Sequence, residues 1–218
     1  MLMFSKNITK GEKIKIIFSY ILRFTILLAI IGSIINSNWM ALFVSSLALV
    51  LTFLPVIIER NMKIDLPAEF EILIILFIYA SLFLGEIHNY YTLFWWWDII
   101  LHIGSGIALG FLGFLLMFML YEENKIRAKP VTIVLFSFCF ALAAGAMWEI
   151  FEFSIDNIFG QDMQKSGLVD TMWDLIVDAG GALFTSIIGF IYLKGGKTRL
   201  FDRFLKRFIE KNPNLFKR

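Results

Sequence analysis

Cysteine, histidine and charge are all scarce in this sequence. It contains one cysteine, Cys139, and two histidines, His88 and His102, among 218 residues. A single cysteine excludes an intramolecular disulfide and a cysteine-based metal cage, and it is most simply a small core residue. Charged residues make up 17% of the chain and hydrophobic residues 59%. A water-soluble domain of this length could not cover so much apolar surface, so the composition excludes that class.

The motifs of several common enzyme classes are also missing. The sequence has no phosphate-binding loop, nucleophile elbow, dinucleotide fingerprint or HExxH motif. No nucleic-acid partner is expected, and membrane lipids are the expected surroundings. The first apolar run is too long for the apolar region of a signal peptide and lacks a small-residue cleavage pattern, so we interpret it as a retained span.

The apolar residues are concentrated in six runs of about 20 residues, the length at which a helix crosses a bilayer. The runs cover roughly 16–35, 39–58, 67–85, 96–120, 130–153 and 170–193. Helices satisfy their own backbone hydrogen bonds in lipid. The prediction is therefore an all-α, polytopic membrane protein with one six-span domain, residues 1–194. Pro55 is expected to kink the second span.

Basic residues predict the orientation of the spans. Of the 20 lysines and arginines, 18 fall at one end: four before the first span, two after the second, three after the fourth and nine after the sixth. This bias places both termini in the cytoplasm. The six tryptophans fall at the opposite ends of the spans, as an interfacial belt would. The tail, residues 195–218, has apolar residues at helical spacing between basic ones, which predicts an amphipathic helix on the anionic inner leaflet.

Ionisable residues inside the predicted spans are the functional signal. They recur every three or four residues, so each set shares one helix face. The sets are Asp98 and His102 in span four, Glu149 and Glu152 in span five with Asp156 one turn later, and Asp170, Asp174 and Asp178 in span six. The predicted topology places all three sets in the outer half of the membrane. Because a carboxylate at the centre of a span costs ~2.5–3.5 kcal/mol to insert, we interpret the clustering as a functional site.

One histidine among several carboxylates suits Mg²⁺, Mn²⁺, Ca²⁺ or Zn²⁺. The candidate ligands are Asp98, His102, Glu149, Glu152, Asp174 and Asp178. Such an ion could activate water or polarise a phosphate, with Glu152 or Asp170 as general base. Arg23, in span one, could pair with Asp178 near mid-membrane. Glycines and alanines are frequent in spans four to six, which favours a tight bundle that holds the acids together.

Three sequence stretches carry a family resemblance. They are WWDIILHIGSGIALG, AGAMWEIFEFSID, and Gln164 followed by DTMWDLIVDAGGAL. Their order and spacing resemble the YjdF-like bacterial inner-membrane proteins and, more distantly, the VanZ-like proteins named from teicoplanin resistance, over roughly residues 67–193. Asp178 stands where the VanZ-like pattern would have an asparagine, and no arginine separates the Gln and Asp motifs. The resemblance implies a multi-pass protein of the bacterial inner membrane and the position of a site, not its chemistry.

Three functions are compatible with these residues. The first is a metal-dependent enzyme acting on a lipid or lipid-linked envelope substrate. The second is a transporter or channel in which the acids relay protons or cations and Arg23 is a counter-ion. The third is a non-catalytic protein that binds envelope lipids or antibiotics. A homo-oligomer is compatible with all three, and the sequence does not decide whether the protein is an enzyme.

The predicted orientation can be tested with a single cysteine. After Cys139→Ser, a cysteine replacing Asp162 should react with a membrane-impermeant maleimide in intact cells, because this loop is expected outside. A cysteine replacing Lys197 should react only after the membrane is broken. Labelling of the Lys197 position alone in intact cells would invert the whole topology.

Overall fold

The computed structural model describes residues 10–122, 125–160 and 162–216. All regular structure within these residues is helical. Six helices are long and apolar enough to cross a membrane: Gly11–Ile35, Trp39–Met62, Ala68–Ile87, Trp97–Glu122, Pro130–Phe159 and Leu168–Leu193. The predicted six-span, all-α fold is confirmed. Three residues of the basic count, Lys6, Lys217 and Arg218, lie outside the described residues.

The helices follow one another with short connections. They are α1 (Lys10–Ile35), α2 (Trp39–Leu51), α3 (Leu54–Met62), α4 (Ala68–Ile78), α5 (Tyr90–Leu93), α6 (Trp97–Glu122), α7 (Pro130–Phe159), α8 (Leu168–Leu193) and α9 (Arg199–Lys211). Helix α4 continues as a π-helix, Tyr79–Ile87, and a 3₁₀ turn, Pro213–Leu215, follows α9.

Two boundaries differ from the predicted ones in ways that matter. The second span is broken between α2 and α3, with Pro55 in the first turn of α3, where its missing amide hydrogen is tolerated. The predicted kink is confirmed, and the helix runs on to Met62. The fifth span was expected to end near residue 153, but α7 continues to Phe159 and is capped by Gly160 in the left-handed region, φ +64°. Asp156 is therefore a helical residue, not a loop residue.

The described chain forms two compact units, one up to Trp95 and one from Trp96 onward. In the first unit α1 packs on α2 and α4, around a core that contains Ile26, Ala48 and Phe83. A short ion pair joins Lys15 Nζ to Glu71 Oε1 at 2.6 Å. Glu71 is 4% exposed, so its buried charge is compensated by a partly exposed lysine.

The second unit is a bundle of α6, α7 and α8, each packed against the other two. Glycines set how closely the helices approach. A Cβ on Gly106 would lie 2.5 Å from the carbonyl oxygen of Asp178, and one on Gly181 would lie 2.5 Å from that of Ile103. Real Cβ atoms do not come so close to backbone, so only glycine fits at both crossing points. The predicted tight bundle of spans four to six is confirmed.

Two hydrogen bonds between helices lie deeper in the bundle than the acids. The Ser137 hydroxyl donates to the carbonyl of Gly110 at 2.6 Å, and the Thr185 hydroxyl donates to the carbonyl of Ile107 at 3.1 Å. Both donors reach backbone oxygens that face a neighbouring helix. They tie α6 to α7 and to α8 where the other contacts are apolar.

Helix α9 is amphipathic, as predicted, and its apolar face is covered by protein. Phe201, Leu205 and Phe208 are all buried. The ring of Phe201 lies edge-on to Phe111 and Phe114 of α6, with centroid distances of 5.0 and 4.8 Å. The helix therefore docks on the bundle through the residues that were expected to enter lipid. Its position at the inner leaflet stays a prediction.

Adjacent glycines of α8 offer a matched test of the packing. Gly181→Ala should destabilise the protein by about 1–3 kcal/mol, because the new methyl group would meet α6 backbone that cannot move alone. Gly180→Ala should be neutral or slightly stabilising, because nothing lies within 4 Å of its Cβ position and alanine favours helix. Unfolding in detergent measures both. Equal stability of the two variants would contradict the close crossing.

Candidate functional site

Helix α6 places Asp98 and His102 on one face, four residues apart. Asp98 lies in the first turn, where a negative charge complements the unpaired amides of the helix start. His102 lies one turn deeper and is 7% exposed. The predicted pairing of these two side chains is observed, because His102 Nε2 lies 3.7 Å from Asp98 Oδ1.

His102 contacts α8 through both of its ring nitrogens. Its Nδ1 lies 3.3 Å from Asp178 Oδ2, and its Nε2 lies 4.0 Å from Asp174 Oδ1. Asp174 and Asp178 are one turn apart on α8 and are 4% and 1% exposed. The histidine therefore has a carboxylate at each end of its ring, in a place with little access to water.

Asp178 is held by partners on two other helices. The Ser105 hydroxyl lies 3.0 Å from its Oδ1, and His102 approaches its Oδ2. Its carboxylate also rests on Gly145 of α7, where a Cβ would collide with it. Both oxygens thus have neighbours that fix the orientation of the group. Sequence analysis missed Ser105, although its spacing of three from His102 on an apolar helix could have indicated it.

Glu149 is the acid of α7 that the bundle buries. It is 3% exposed, and neither carboxylate oxygen has a partner at hydrogen-bond geometry. The Thr171 hydroxyl is near enough to influence it, and so are the charges of His102 and Asp178. Glu149 therefore faces the cluster with its hydrogen-bonding capacity unused, which is unusual for a buried polar group.

Glu152 and Asp170, the candidate general bases, lie nearer the outside of the cluster. Glu152 Oε1 accepts a hydrogen bond of 2.9 Å from Trp148 Nε1 on its own helix. Asp170 lies in the first turn of α8 and is only half-buried. Both interact electrostatically with His102 and Asp98, so they border the cluster.

Asp156 and Gln164 order the loop between α7 and α8. The Asp156 carboxylate accepts the backbone N–H groups of Met163 at 2.7 Å and Gln164 at 2.9 Å. The Gln164 side chain donates to the Thr171 hydroxyl at 2.6 Å. These two predicted site residues shape the loop and do not join the cluster. Through that loop they position Lys165, whose Nζ lies 3.0 Å from Asp98 Oδ2.

Lys165 is the second residue that sequence analysis did not assign to the site. Its signal was present, because it is the one lysine or arginine in the loops predicted to lie outside. Because basic residues are otherwise almost confined to the opposite side, a lysine in a predicted outer loop suggests a specific role. Its contact with Asp98 across 67 residues of sequence supplies one.

Arg23 has its partners in the first unit. Its Nε donates to the Thr52 hydroxyl at 3.0 Å and its Nη2 to the Thr52 carbonyl at 2.8 Å. Its guanidinium also lies 4.0 Å from the centre of the Phe53 ring. These contacts satisfy an intramembrane charge at the break between α2 and α3. The pairing of Arg23 with Asp178 stays a prediction.

The geometry gathers one nitrogen and two carboxylate oxygens at a common point. Ligand atoms of Asp98, His102 and Asp174 all lie within 4.8 Å of one another. This is the arrangement in which a cation could bind, and Glu149 is close enough to interact electrostatically with His102 and Asp174. The described residues thus define a multi-pass membrane protein with a polar site inside its second unit.

Comparisons with known proteins agree with that class. Residues 18–195 match the family described as "Predicted membrane protein (DUF2238)". This match covers most of the chain, so the protein belongs to the DUF2238 family. An uncharacterized protein of Thermotoga maritima is 26% identical over 129 residues, which are 59% of this chain and 66%, just under two thirds, of the relative. No solved structure matches the chain.

The role of Asp156 can be tested by proteolysis. Asp156→Ala removes the acceptor of two backbone N–H groups, so the loop should loosen and trypsin should cut after Lys165 more readily. Asp162→Ala is the matched control, because this loop acid is exposed. Cleavage at the same rate in both variants would contradict the ordering role.

Proposed function

We propose that this protein binds a divalent metal ion through Asp98, His102 and Asp174 and uses it in chemistry on a lipid or lipid-linked envelope substrate. The observation that carries the proposal is the approach of their three ligand atoms to within 4.8 Å of one another. Those atoms come from two helices and are held by a buried bundle. Membrane lipids are the proposed source of the substrate.

The spacing of the ligand atoms fits a small divalent ion. Ligand atoms about 2.1 Å from an octahedral ion lie about 3 Å apart when adjacent and about 4 Å apart when opposite. His102 Nε2 lies 3.7 Å from Asp98 Oδ1 and 4.0 Å from Asp174 Oδ1. A small side-chain adjustment would therefore complete the site. One imidazole with carboxylates suits Mn²⁺ or Zn²⁺, and Mg²⁺ and Ca²⁺ remain in the proposed set.

The contacts of His102 suggest that Asp178 has a different role from Asp98 and Asp174. With Nδ1 as a donor to Asp178, the lone pair of Nε2 points toward Asp98 and Asp174. Metal-binding histidines commonly donate their second nitrogen to a carboxylate in this way. Asp178, a candidate ligand from the sequence, is therefore proposed as the group that orients His102.

Burial strengthens the case for a cation. Leaving a carboxylate buried without a compensating charge costs on the order of several kcal/mol. Glu149, Asp174 and Asp178 are each at most 4% exposed, and His102 is the one basic side chain in contact with the acids at this depth among the described residues. A divalent ion would neutralise two charges and give Glu149 a partner. Glu149 is thus the proposed fourth ligand.

The cation would polarise a phosphate oxygen or activate a water molecule. The protein's own residues would then position the substrate and take a proton from the attacking water. Glu152 and Asp170 border the cluster and are proposed as alternatives for the general base. Asp170 is the nearer of the two to the loop, because it lies in the first turn of α8.

The close packing of the helices on the cytoplasmic side of the acids favours an enzyme over a transporter or channel. Past Asp178, Gly110 approaches Thr185 and Gly189 approaches the ring of Phe114. A Cβ at Gly110 would lie 3.1 Å from Thr185 Cβ, so the helices leave little room there. In the described part of the second unit, the acids thus end in close packing. A channel, and a non-catalytic lipid- or antibiotic-binding protein, are the alternatives.

The location of the site is part of the proposal. We propose that Asp98 and Asp170 lie in the outer half of a bacterial inner membrane, with both termini in the cytoplasm, and the basic-residue bias supports this orientation. The finer resemblance to YjdF-like and VanZ-like proteins is consistent with an envelope substrate. This resemblance supports the position of the site but does not indicate which reaction takes place there.

Metal binding by purified protein tests the proposal. After removal of ions with a chelator, Mn²⁺, Zn²⁺, Mg²⁺ and Ca²⁺ are titrated by calorimetry. Asp98→Asn, His102→Gln and Asp174→Asn should each weaken binding by roughly tenfold or more, and Asp178→Asn by a comparable factor if it orients His102. The bound ion should also raise the melting temperature.

The control is Asp162→Asn, which removes an exposed carboxylate near the same helix ends. It should bind the ion as the wild type does. A wild-type protein that takes up none of the four ions would overturn the proposal. Ion flux in liposomes that disappears with Asp178→Asn would favour the transport alternative.

A further inference from the structure

Lys165 is the cation at the outer edge of the acidic cluster. Its Nζ lies 3.0 Å from Asp98 Oδ2, and the two side chains are 35% and 21% exposed. Residues 64–124 and 130–193 contain no other lysine or arginine. The single fixed positive charge of these segments therefore lies beside Asp98, the acid in the first turn of α6.

Hydrogen bonds fix the part of the loop that directly precedes Lys165. Asp156 fixes the two residues before Lys165 by accepting their backbone N–H groups. Gln164 fixes the loop to the start of α8 through Thr171. Left-handed glycines, Gly160 and Gly167, bound the loop on both sides. A lysine presented by such a loop has a defined position.

The two oxygens of Asp98 face different charges. Oδ1 faces His102 and the proposed metal site, and Oδ2 faces Lys165. A divalent ion on Oδ1 would draw on the same negative charge that now attracts the ammonium. It would thus weaken the hold of Asp98 on Lys165 and place two cationic centres on either side of one carboxylate.

We propose that Lys165 binds the phosphate group of the substrate, and that the substrate is a phosphate monoester which bridges Lys165 and the metal ion. This inference rests on the proposed function. The negative charges of Asp162 and Asp170, near the outer side of the cluster, would repel an approaching anion. Lys165 offsets this repulsion, because it interacts electrostatically with Asp170 as well as with Asp98. Ammonium groups bind phosphate through charge-assisted hydrogen bonds.

Apolar residues beside the acids favour an amphiphile as the carrier of that phosphate. Trp173 precedes Asp174, Val169 precedes Asp170, and Trp148 donates to Glu152. The side chains of Trp173 and Val169 are each 61% exposed, and that of Trp148 is 42% exposed. A lipid phosphate could contact this rim with its chains, whereas a soluble phosphate monoester could not.

The test uses the full chain in phosphatidylcholine nanodiscs with Mn²⁺. Phosphatidate, whose head group is a phosphate monoester, is titrated in, and its retention is measured by native mass spectrometry. The wild type should enrich phosphatidate over phosphatidylcholine. Lys165→Met should lose roughly ten- to hundredfold of this preference, because one charged hydrogen-bond donor is removed. Lys165→Arg should keep most of it.

Two further measurements separate the outcomes. Lys197→Met, at an exposed lysine beyond α8, is the control and should enrich phosphatidate as the wild type does. Lys165→Met that binds Mn²⁺ and still enriches phosphatidate fully would overturn the inference alone. If glycerol phosphate binds as tightly as the lipid, the part of the inference that requires an amphiphilic substrate is wrong. A wild type that binds no ion would overturn the proposed function, and this inference with it.

Discussion

The organisation of the second unit depends on one constraint, the burial of carboxylates away from water. Asp174, Asp178 and Glu149 lie on α8 and α7 and are almost completely covered. Each would cost several kcal/mol if left charged and alone. Neighbouring groups therefore have to compensate them. Asp178 has His102 and Ser105, whereas Glu149 has no partner at hydrogen-bond geometry. The two acids are equally buried but differ in their hydrogen bonding, and the unused oxygens of Glu149 support the proposed cation.

Glycine makes this arrangement possible. Gly145 leaves room for the Asp178 carboxylate, and Gly106 and Gly181 let α6 and α8 cross at backbone distance. At this distance the side chains of Ser105 and His102 reach Asp178 on the neighbouring helix. Small residues in membrane helices are usually explained by packing alone. Here the same residues also determine which polar side chains can meet.

The fold followed from the sequence because long apolar runs allow few alternatives in lipid, and all six predicted spans are found. Shared helix faces also indicated that Asp98, His102, Asp174 and Asp178 would meet. Contacts that depend on the shape of a loop could not be predicted from the sequence. They are set by backbone torsion angles, and the spacing of apolar residues carries no information about those angles. Asp156 was expected in the site, but it holds the loop. Lys165 joined Asp98 because α7 ends six residues later than expected and the loop turns back.

The two ends of the bundle differ in a way that gives the site a direction. Below Asp178 glycines contact side chains or backbone of the neighbouring helices, and the hydroxyls of Ser137 and Thr185 donate to neighbouring carbonyls. Above Asp178 the polar groups become progressively more exposed, through Asp174 and Asp98 to Lys165. Along this series, a group entering from the loop side would meet Lys165 before it meets the buried acids. Such an order suits a ligand that carries a negative charge toward a metal ion, because the lysine offsets the repulsion that the acids would otherwise exert.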